Sequence, residues 1–256
     1  MYRTFCFDLD GTLLNTKKCI SEADKKKIIE LKQGGMQIIL ASGRHAHEIE
    51  DYAKELNLAK GDFVIACNGQ YIFSHDFKCL WKNEFLTKSD LFWFYKNISK
   101  TFKIITDKVD YGLNLPSYKN KSVNNRKKYL DVYRLIVLPQ RRVEKVILSS
   151  LNKSKESLIG NRYMLHCYEN IIEIKNKNVN KFTALTQLKA MNEIKDLDEC
   201  LYFGDDNNDL ECFNGLKSCV AMSTAPDILK NQAIFVTKDS DNSGVSFAIE
   251  EIMKVR

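Results

Sequence analysis

The sequence predicts an α/β protein, a doubly wound parallel sheet flanked by helices and interrupted by a smaller α+β insert. The same pattern in two segments of the chain predicts the sheet. In residues 1–83 and again in 178–256, short apolar runs typical of buried strands alternate with segments of helical periodicity. Such alternation is typical of parallel strands joined by right-handed crossovers. The change of pattern over residues 84–177 predicts the insert.

The first segment predicts three strands, two helices and a hairpin. The opening strand, 2–8, contains the aromatic run Thr4-Phe5-Cys6-Phe7. In the helix at 22–31, apolar residues recur at helical spacing, and Gly34-Gly35 ends it. The other elements are strand 36–41, helix 45–56, strand 63–67, and a hairpin of strands 71–73 and 79–81 that follows the tight turn Asn68-Gly69.

The middle segment predicts a small antiparallel sheet backed by two helices. Its elements are helix 88–99, strands 102–107, 110–115 and 132–138, helix 140–151, and strands 163–168 and 171–175. After Lys177 the strand–helix alternation resumes. The elements there are helix 180–191, strand 200–203, helix 207–214, strand 217–221, helix 224–230, strand 233–236 and helix 244–254. We therefore expect a core domain of residues 1–83 and 178–256 and an inserted domain of residues 84–177.

The composition is that of a globular protein, with 256 residues, 44% of them hydrophobic and 28% charged. No apolar stretch approaches the roughly 20 residues that a membrane helix needs, so no membrane contact is expected. A strand begins almost at the N-terminus and leaves no room for a signal peptide, which predicts a cytoplasmic protein. The 8 cysteines form no C-x-x-C pair, so reduced, structural cysteines are expected rather than zinc ligands.

The net charge of +6 is unevenly distributed. Residues 84–178 carry 19 Lys/Arg against 9 Asp/Glu, whereas the rest of the chain is acidic on balance. A basic insert over an acidic base would attract an anionic substrate. A solvated lysine-rich surface explains the charge equally well. Nucleic-acid binding is not expected, because the basic cluster contains few aromatic residues and no recognisable module. No pattern indicates an oligomeric state.

Two clusters of acidic residues follow predicted buried strands on either side of the insert. The first is Asp8-Leu9-Asp10-Gly11-Thr12, and the second is Gly204-Asp205-Asp206-Asn207-Asn208-Asp209. Open α/β sheets bind their ligands at the carboxyl ends of strands, so these carboxylates are expected to converge there. Converging carboxylates repel one another unless a cation lies between them, and oxygen ligands favour Mg²⁺.

Other ligand motifs are excluded by the spacing. Asp205, Asn207 and Asp209 satisfy the first half of a calcium-binding loop, but Leu210 and Leu216 replace its required glycine and glutamate. Neither a G-x-G-x-x-G nor a G-x-x-x-x-G-K-[ST] motif is present. Phosphoryl transfer fits better. Asp8 is suited to nucleophilic attack, and Asp10 points to the same side, where it could give and then take a proton.

The sequence resembles the haloacid dehalogenase superfamily of phosphatases, in the Cof-like branch whose cap domain is inserted after the third strand of a Rossmann-like core. Four motifs carry the resemblance in the right order: Asp8-x-Asp10-Gly-Thr-Leu-Leu, Leu40-Ala-Ser42-Gly43-Arg44, Lys181 within Val179-Asn-Lys-Phe-Thr-Ala-Leu, and Gly204-Asp205-x-x-Asn208-Asp209. Asn68-Gly69 also matches the pair that precedes the cap. The resemblance covers essentially the whole chain.

The resemblance implies a role for each motif residue. Asp8 would form an aspartyl-phosphate and Asp10 would act as general acid and base. The phosphate would be bound by Ser42, Gly43, Lys181 and Asn208. Mg²⁺ would be held by Asp8, Asp205, Asp209 and the backbone carbonyl of Asp10. Two departures from the family pattern are Ser42, where threonine is common, and Ser223-Thr224, where Gly-Asn is usual.

The function that follows is Mg²⁺-dependent hydrolysis of a small phosphorylated metabolite through an aspartyl-phosphate. Sugar phosphates are the favoured class, with phosphorylated cofactors next. One alternative is a phosphomutase of the same fold, which would return the phosphoryl group instead of releasing it. The other is a non-catalytic binding or regulatory protein that kept the fold.

Overall fold

The structure is a computed structural model that describes residues 2–83, 101–106, 110–114, 132–137, 163–167 and 172–254, with side chains in 2–83 and 176–254. The chain forms two compact units. The first consists of Met1–Asn83 and Asn180–Arg256, and the second of Glu84–Val179. No helix in the described ranges combines the length and apolar character that crossing a membrane requires.

The first unit is built on an eight-stranded sheet in the order β13-β12-β11-β1-β2-β3-β4-β5. Neighbouring strands from β13 to β3 run parallel, and β4 and β5 add an antiparallel hairpin. The predicted α/β class is therefore confirmed. Its strands are β1 Thr4–Phe7, β2 Gln37–Ala41, β3 Phe63–Ala66, β4 Tyr71–Ser74, β5 Cys79–Lys82, β11 Cys200–Gly204, β12 Cys219–Ala221 and β13 Phe235–Val236.

The central strand β1 lies between β2 and β11. The chain runs outward through β2 and β3 on one side and through β12 and β13 on the other, so its strand order reverses at β1. Four residues of β1 are fully paired with both neighbours, and Phe7 is aligned with Leu40 and with Phe203. The carboxyl ends of the three strands therefore lie side by side. Such a reversal point opens a crevice in which α/β proteins bind ligands.

Six described helices belong to this unit: α1 Glu22–Gln33, α2 Ala46–Glu55, α3 Lys181–Ala190, α4 Leu210–Gly215, α5 Asp227–Lys230 and α6 Gly244–Lys254. Two of them begin at side-chain caps, because Ser21 accepts a hydrogen bond from the Asp24 amide and Asn180 accepts one from the Thr183 amide. Apolar residues of α3 and α4 pack with the inner strands into one buried core cluster.

Several predicted elements differ from the observed ones in their bounds, and three of these differences illustrate local effects. The helix expected over 224–230 begins at Asp227, because a residue before proline avoids helical geometry and Pro226 occupies the N-cap. The helix expected over 207–214 starts as a 3₁₀ turn at Asn207–Asp209, and the α-helix follows from Leu210. The strand expected over 233–236 shortens to Phe235–Val236 at the edge of the sheet.

The described part of the second unit is a five-stranded antiparallel sheet in the order β7-β6-β8-β10-β9. Its strands are β6 Thr101–Thr106, β7 Asp110–Asn114, β8 Val132–Val137, β9 Tyr163–Cys167 and β10 Ile172–Asn176. The strands predicted for the insert match these in number and position. The two predicted helices, 88–99 and 140–151, lie outside the described residues.

Candidate active site

Asp8 and Asp205 meet at the carboxyl ends of β1 and β11. The amide of Asp8 donates to the Phe203 carbonyl at 3.0 Å, which continues the ladder by one residue. The following turn is shaped for close approach: Gly11 has a φ of +85°, and a Cβ there would lie 2.1 Å from Asp205 Oδ2. Only glycine fits that position. Thr12 Oγ1 then donates to Asp205 Oδ1 at 2.8 Å, joining the two acidic clusters directly.

Lys181 places its ammonium group between two of the carboxylates. Its Nζ is 2.5 Å from Asp8 Oδ1 and 2.6 Å from Asp209 Oδ1, and its side chain is fully buried. Burial alone would lower the pKa of Lys181, but attraction to Asp209 and Asp8 outweighs it and raises the pKa above its usual value. The lysine therefore stays charged, and its charge is shared between both partners.

Asp209 is held by four hydrogen-bond donors. Oδ1 accepts from Lys181 Nζ and from the hydroxyl of Tyr202, both at 2.6 Å. Oδ2 accepts from the amides of Asp205 at 2.9 Å and Asp206 at 3.2 Å. A carboxylate has about four acceptor positions, so these contacts use the whole capacity of Asp209. Gly204 allows this fold of the loop, since a Cβ there would lie 2.6 Å from Asp209 Oδ2.

Three carboxylates converge on the one buried ammonium group. Oxygens of Asp8, Asp205 and Asp209 lie within 4.8 Å of one another. Burial, together with its acidic neighbours, raises the pKa of Asp8 well above its usual range. Burial is also the main cause that raises the pKa of Asp205, to about 6. This excess of negative charge is what a hard divalent cation neutralises, so the residues present fit a divalent-metal site.

Asp10 lies outside that cluster of oxygens and is bound by two cations. Arg44 Nε donates to its Oδ2 at 2.6 Å and Arg44 Nη2 to its Oδ1 at 2.7 Å, while Lys18 Nζ is 2.7 Å from Oδ1. The hydrogen bonds from Arg44 are the main reason that the pKa of Asp10 falls to about 2. Tyr52 supports both cations, since its ring lies 5.5 Å from the Arg44 guanidinium and its hydroxyl donates to the Lys18 carbonyl.

Ser42 and Gly43 follow β2, and Ser42 is hydrogen-bonded to a left-handed turn at residues 67–69. The amide of Asn68 donates to the Ser42 carbonyl at 2.9 Å, and the Ser42 hydroxyl is 3.2 Å from the Arg44 amide. Cys67, Asn68 and Gly69 all have positive φ values, of 53°, 55° and 95°. Asn208 Nδ2 donates to Asn68 Oδ1 at 3.0 Å, which links the fourth motif to the second.

The structure thus brings the predicted residues to one edge of the sheet in four groups. Asp8, Lys181, Asp205 and Asp209 form one connected cluster, Asn208 reaches it through its own loop, and Ser42 with Gly43 lies beside Asn68. Asp10 stands apart with its two cations. Ser223 and Thr224, which replace the usual Gly-Asn, are both exposed.

Five residues with direct contacts to this site were not among the predicted site residues. Thr12, Arg44 and Asn68 lie within or beside the quoted motifs, so their sequence context could have identified them. Lys18 and Tyr202 carry no such signal. The contact of Lys18 with Asp10 depends on the path of the loop after Asp10. Tyr202 has the sequence context of an ordinary strand residue in the run Cys200-Leu-Tyr-Phe203.

The fold and the site together define a class of α/β hydrolases that act at the carboxyl end of a parallel sheet, with paired acidic motifs and a buried lysine. Comparison with known proteins identifies the family. The family model of the haloacid dehalogenase-like hydrolases matches residues 5–249. The chain belongs to this family, which confirms the resemblance seen in its motifs.

Similar proteins extend over nearly all of the chain. The 5-amino-6-(5-phospho-D-ribitylamino)uracil phosphatase YcsE of Bacillus subtilis is 26% identical, over 96% of this chain and 94% of that protein. A phosphoglycolate phosphatase of Methanobrevibacter smithii is 25% identical, over 96% of each chain. Among solved structures, TM0651 from Thermotoga maritima has a TM-score of 0.77 and 26% identity, over 98% of this chain and 97% of that one.

Proposed function

We propose that this protein is a Mg²⁺-dependent phosphatase that hydrolyses small phosphorylated metabolites through an aspartyl-phosphate on Asp8. The observation that carries the proposal is the Asp8–Lys181–Asp209 arrangement. The Asp8 carboxylate lies at the end of the central strand, at the reversal point of the sheet, and a buried ammonium group lies 2.5 Å from it. A phosphoryl group that approaches Asp8 would meet that ammonium group, which can neutralise the charge on its oxygens.

The metal fits the acidic cluster. Asp8 and Asp205 would be its side-chain ligands, with the backbone carbonyl of Asp10 as a further oxygen. Asp209 belongs to the predicted metal set, but its acceptor positions are engaged, so we assign it to holding Lys181 and the loop. When bound, Mg²⁺ supplies charge that offsets the repulsion between the carboxylates and an incoming phosphate dianion.

The residues of the chain then divide the reaction into two steps. In the first, an Asp8 oxygen forms a bond to phosphorus, the bond to the leaving oxygen breaks, and Asp10 gives that oxygen a proton. In the second, Asp10 takes a proton from water, which attacks phosphorus and frees Asp8. Ser42, Gly43, Lys181 and Asn208 hold the phosphoryl oxygens. Asp10 is ionised while Arg44 and Lys18 bind it, which suits the second step; these contacts have to loosen for the first.

We propose sugar phosphates as the favoured substrates and phosphorylated cofactors as the next class. The name of one relative supports these classes, since that protein acts on a phosphorylated ribityl-pyrimidine. The other relative is named for phosphoglycolate, a small phosphorylated acid outside both classes, and supports only the wider class of small phosphorylated metabolites. The remaining proposals follow from the sequence: residues 84–177 are a cap domain, and the location is cytoplasmic. The basic charge of residues 84–178 suits an anionic ligand.

A phosphate-release screen tests the proposed function. Purified protein with Mg²⁺ is incubated with a panel of sugar phosphates, flavin mononucleotide, pyridoxal phosphate, 5-amino-6-(5-phospho-D-ribitylamino)uracil and phosphoglycolate. We expect free inorganic phosphate to be the dominant product, to disappear on chelation and to return with added Mg²⁺. The background is set by Asp8→Asn protein. Phosphate release no greater than this background on every compound would reject the proposal, and transfer without release would indicate a mutase.

Because Asp10 has a role in each step, Asp10→Asn protein should release a burst of p-nitrophenol from p-nitrophenyl phosphate. p-Nitrophenolate leaves without a proton, so the first step with p-nitrophenyl phosphate should remain fast while the second slows by roughly 10²–10⁴-fold. Stopped-flow absorbance should then show about one p-nitrophenol per enzyme, followed by slow turnover. With a sugar phosphate, whose alkoxide needs the proton, no burst of product should appear.

Asp206→Asn protein is the matched control for this experiment. Asp206 belongs to the same acidic motif as Asp205 and Asp209 but is exposed, and its side chain caps the Asn207 amide. We expect unchanged turnover with both substrates. If Asp10→Asn slowed p-nitrophenyl phosphate and sugar phosphate equally and without a burst, Asp10 would not be the proton-transfer group.

A further inference from the structure

Tyr202 is a buried polar residue at the centre of the site that the proposed mechanism does not use. It lies on β11, is 0% exposed, and pairs in register with Cys6 of β1. Its neighbours in the strand, Leu201 and Phe203, are apolar, as a buried parallel strand requires. The tyrosine ring fits that pattern but the hydroxyl does not. Its hydroxyl donates to Asp209 Oδ1 at 2.6 Å.

The hydroxyl competes with Lys181 for one oxygen. Asp209 Oδ1 accepts from Tyr202 and from Lys181 Nζ at the same distance, 2.6 Å. Lys181 Nζ also contacts Asp8 Oδ1 at 2.5 Å. Because one ammonium group serves two buried carboxylates, any donor that satisfies Asp209 leaves more of the lysine's charge and hydrogen-bonding capacity for Asp8 and for a phosphoryl group beside it.

We propose that Tyr202 is a positioning residue: through Asp209 it holds the Lys181 ammonium group where it can contact Asp8 and the phosphoryl group of the substrate. This inference rests on the proposed phosphatase function. Without the hydroxyl, Asp209 would draw Lys181 toward itself, and the phosphoryl oxygens would lose part of a charge-assisted hydrogen bond. Tyr202 thus acts on the substrate through two intervening residues, Asp209 and Lys181.

The surroundings of Tyr202 suit a fixed donor. Its ring packs edge-on against Phe213 of α4, with centroids 6.2 Å apart and an interplanar angle of 83°. Burial, with the nearby Asp209 charge, raises the pKa of Tyr202 well above its usual value, so the hydroxyl keeps its proton. The protonated hydroxyl therefore remains available as a donor to Asp209.

The test compares Tyr202→Phe protein with two matched controls. Tyr2→Phe removes another buried tyrosine hydroxyl, which donates to Ser218 Oγ at 3.0 Å at the opposite end of β1. Phe213→Leu disturbs the packing of the Tyr202 ring but keeps its hydroxyl. The measurements are the inhibition constant of inorganic phosphate, and kcat and KM with p-nitrophenyl phosphate and Mg²⁺. Circular dichroism confirms that each variant is folded.

We expect Tyr202→Phe to raise the inhibition constant of inorganic phosphate about tenfold and to lower kcat/KM by a similar factor, which corresponds to the loss of one hydrogen bond to a charged group. The two control variants should change the inhibition constant less than about twofold. A Tyr202→Phe variant that behaves like Tyr2→Phe, or a Phe213→Leu variant that matches Tyr202→Phe, overturns the positioning role and leaves the phosphatase intact. Wild-type protein with no phosphate release above the Asp8→Asn background overturns the proposed function, and this inference with it.

Discussion

Asp8→Asn protein should lose at least roughly four orders of magnitude in kcat, because removal of a nucleophile leaves only the binding and electrostatic contributions to catalysis. The amide keeps the size of the side chain and its place at the end of β1. Steady-state phosphate release and a search for the phosphorylated enzyme by mass spectrometry provide the measurement. Neither turnover nor a phosphorylated protein should be detected, with any substrate.

The same variant should be at least as stable as the wild type at neutral pH. Burial raises the pKa of Asp8, so the folded state binds a proton there more readily than the unfolded chain does. The ionised group therefore reduces stability as pH rises, and the neutral amide avoids this loss. In thermal unfolding, the melting temperature of Asp8→Asn protein should be higher than that of the wild type at neutral pH. This difference in melting temperature should become smaller as the pH falls.

Asp62→Asn is the control, and it should change stability and turnover in the opposite way to Asp8→Asn. Asp62 is also buried, but its carboxylate accepts from the amides of Ile38 and Ala59, each at 2.8 Å, and pairs with Lys32. This variant should lose stability and retain turnover. An Asp8→Asn protein that lost stability while keeping its activity would contradict both the assignment of the nucleophile and the charge balance of the site.

Lys181→Met should have the largest effect on stability. The substitution leaves Asp8 and Asp209 buried without their cation, and removing one partner of a buried ion pair costs about 3–5 kcal/mol. Without the ammonium group the pKa of Asp8 should rise further, so the deficit should be largest at neutral and higher pH and smaller in acid. Phosphate release should fall below detection. Denaturant unfolding across a pH series measures the effect.

Lys189→Met is the matched control on the same helix. Lys189 pairs with Asp196 at 3.1 Å, and both side chains are about half exposed. Exposed ion pairs contribute little, so neither the unfolding midpoint nor turnover should change measurably. If the two lysine variants had the same unfolding midpoint, the ammonium group of Lys181 would not be neutralising buried carboxylates.

The sequence could predict the parts of this site that depend on strand ends. Asp8 and Asp205 follow apolar runs, and parallel strands place their carboxyl ends together, so their proximity follows from a pattern that can be read along the chain. The helix start at Asp227 could also have been read correctly from Pro226. These are local signals, carried by residues adjacent to the feature they determine.

Contacts that depend on side-chain reach could not be predicted in the same way. The hydrogen bond from Tyr202 to Asp209 joins a strand to the turn that follows it, and nothing in an apolar run shows which way a hydroxyl will point. The pairing of Lys18 with Asp10 depends on a loop path set partly by Tyr52, which lies 34 residues further along the chain than Lys18. Such contacts are decided by the packing of elements that are distant in sequence.

The position of β1 at the centre of the sheet has a consequence for biosynthesis. One of its two partners, β11, begins at Cys200, so β1 must wait for the chain as far as Cys200 to be made before that side is covered. At about 5–20 residues per second, the wait is roughly 10–40 s. During that time one edge of an apolar strand has no native partner, and Asp8 has neither Lys181 nor Asp209 beside it. The nascent chain is therefore exposed to aggregation, and the site can be assembled only after β11 and the turn that follows it have been made.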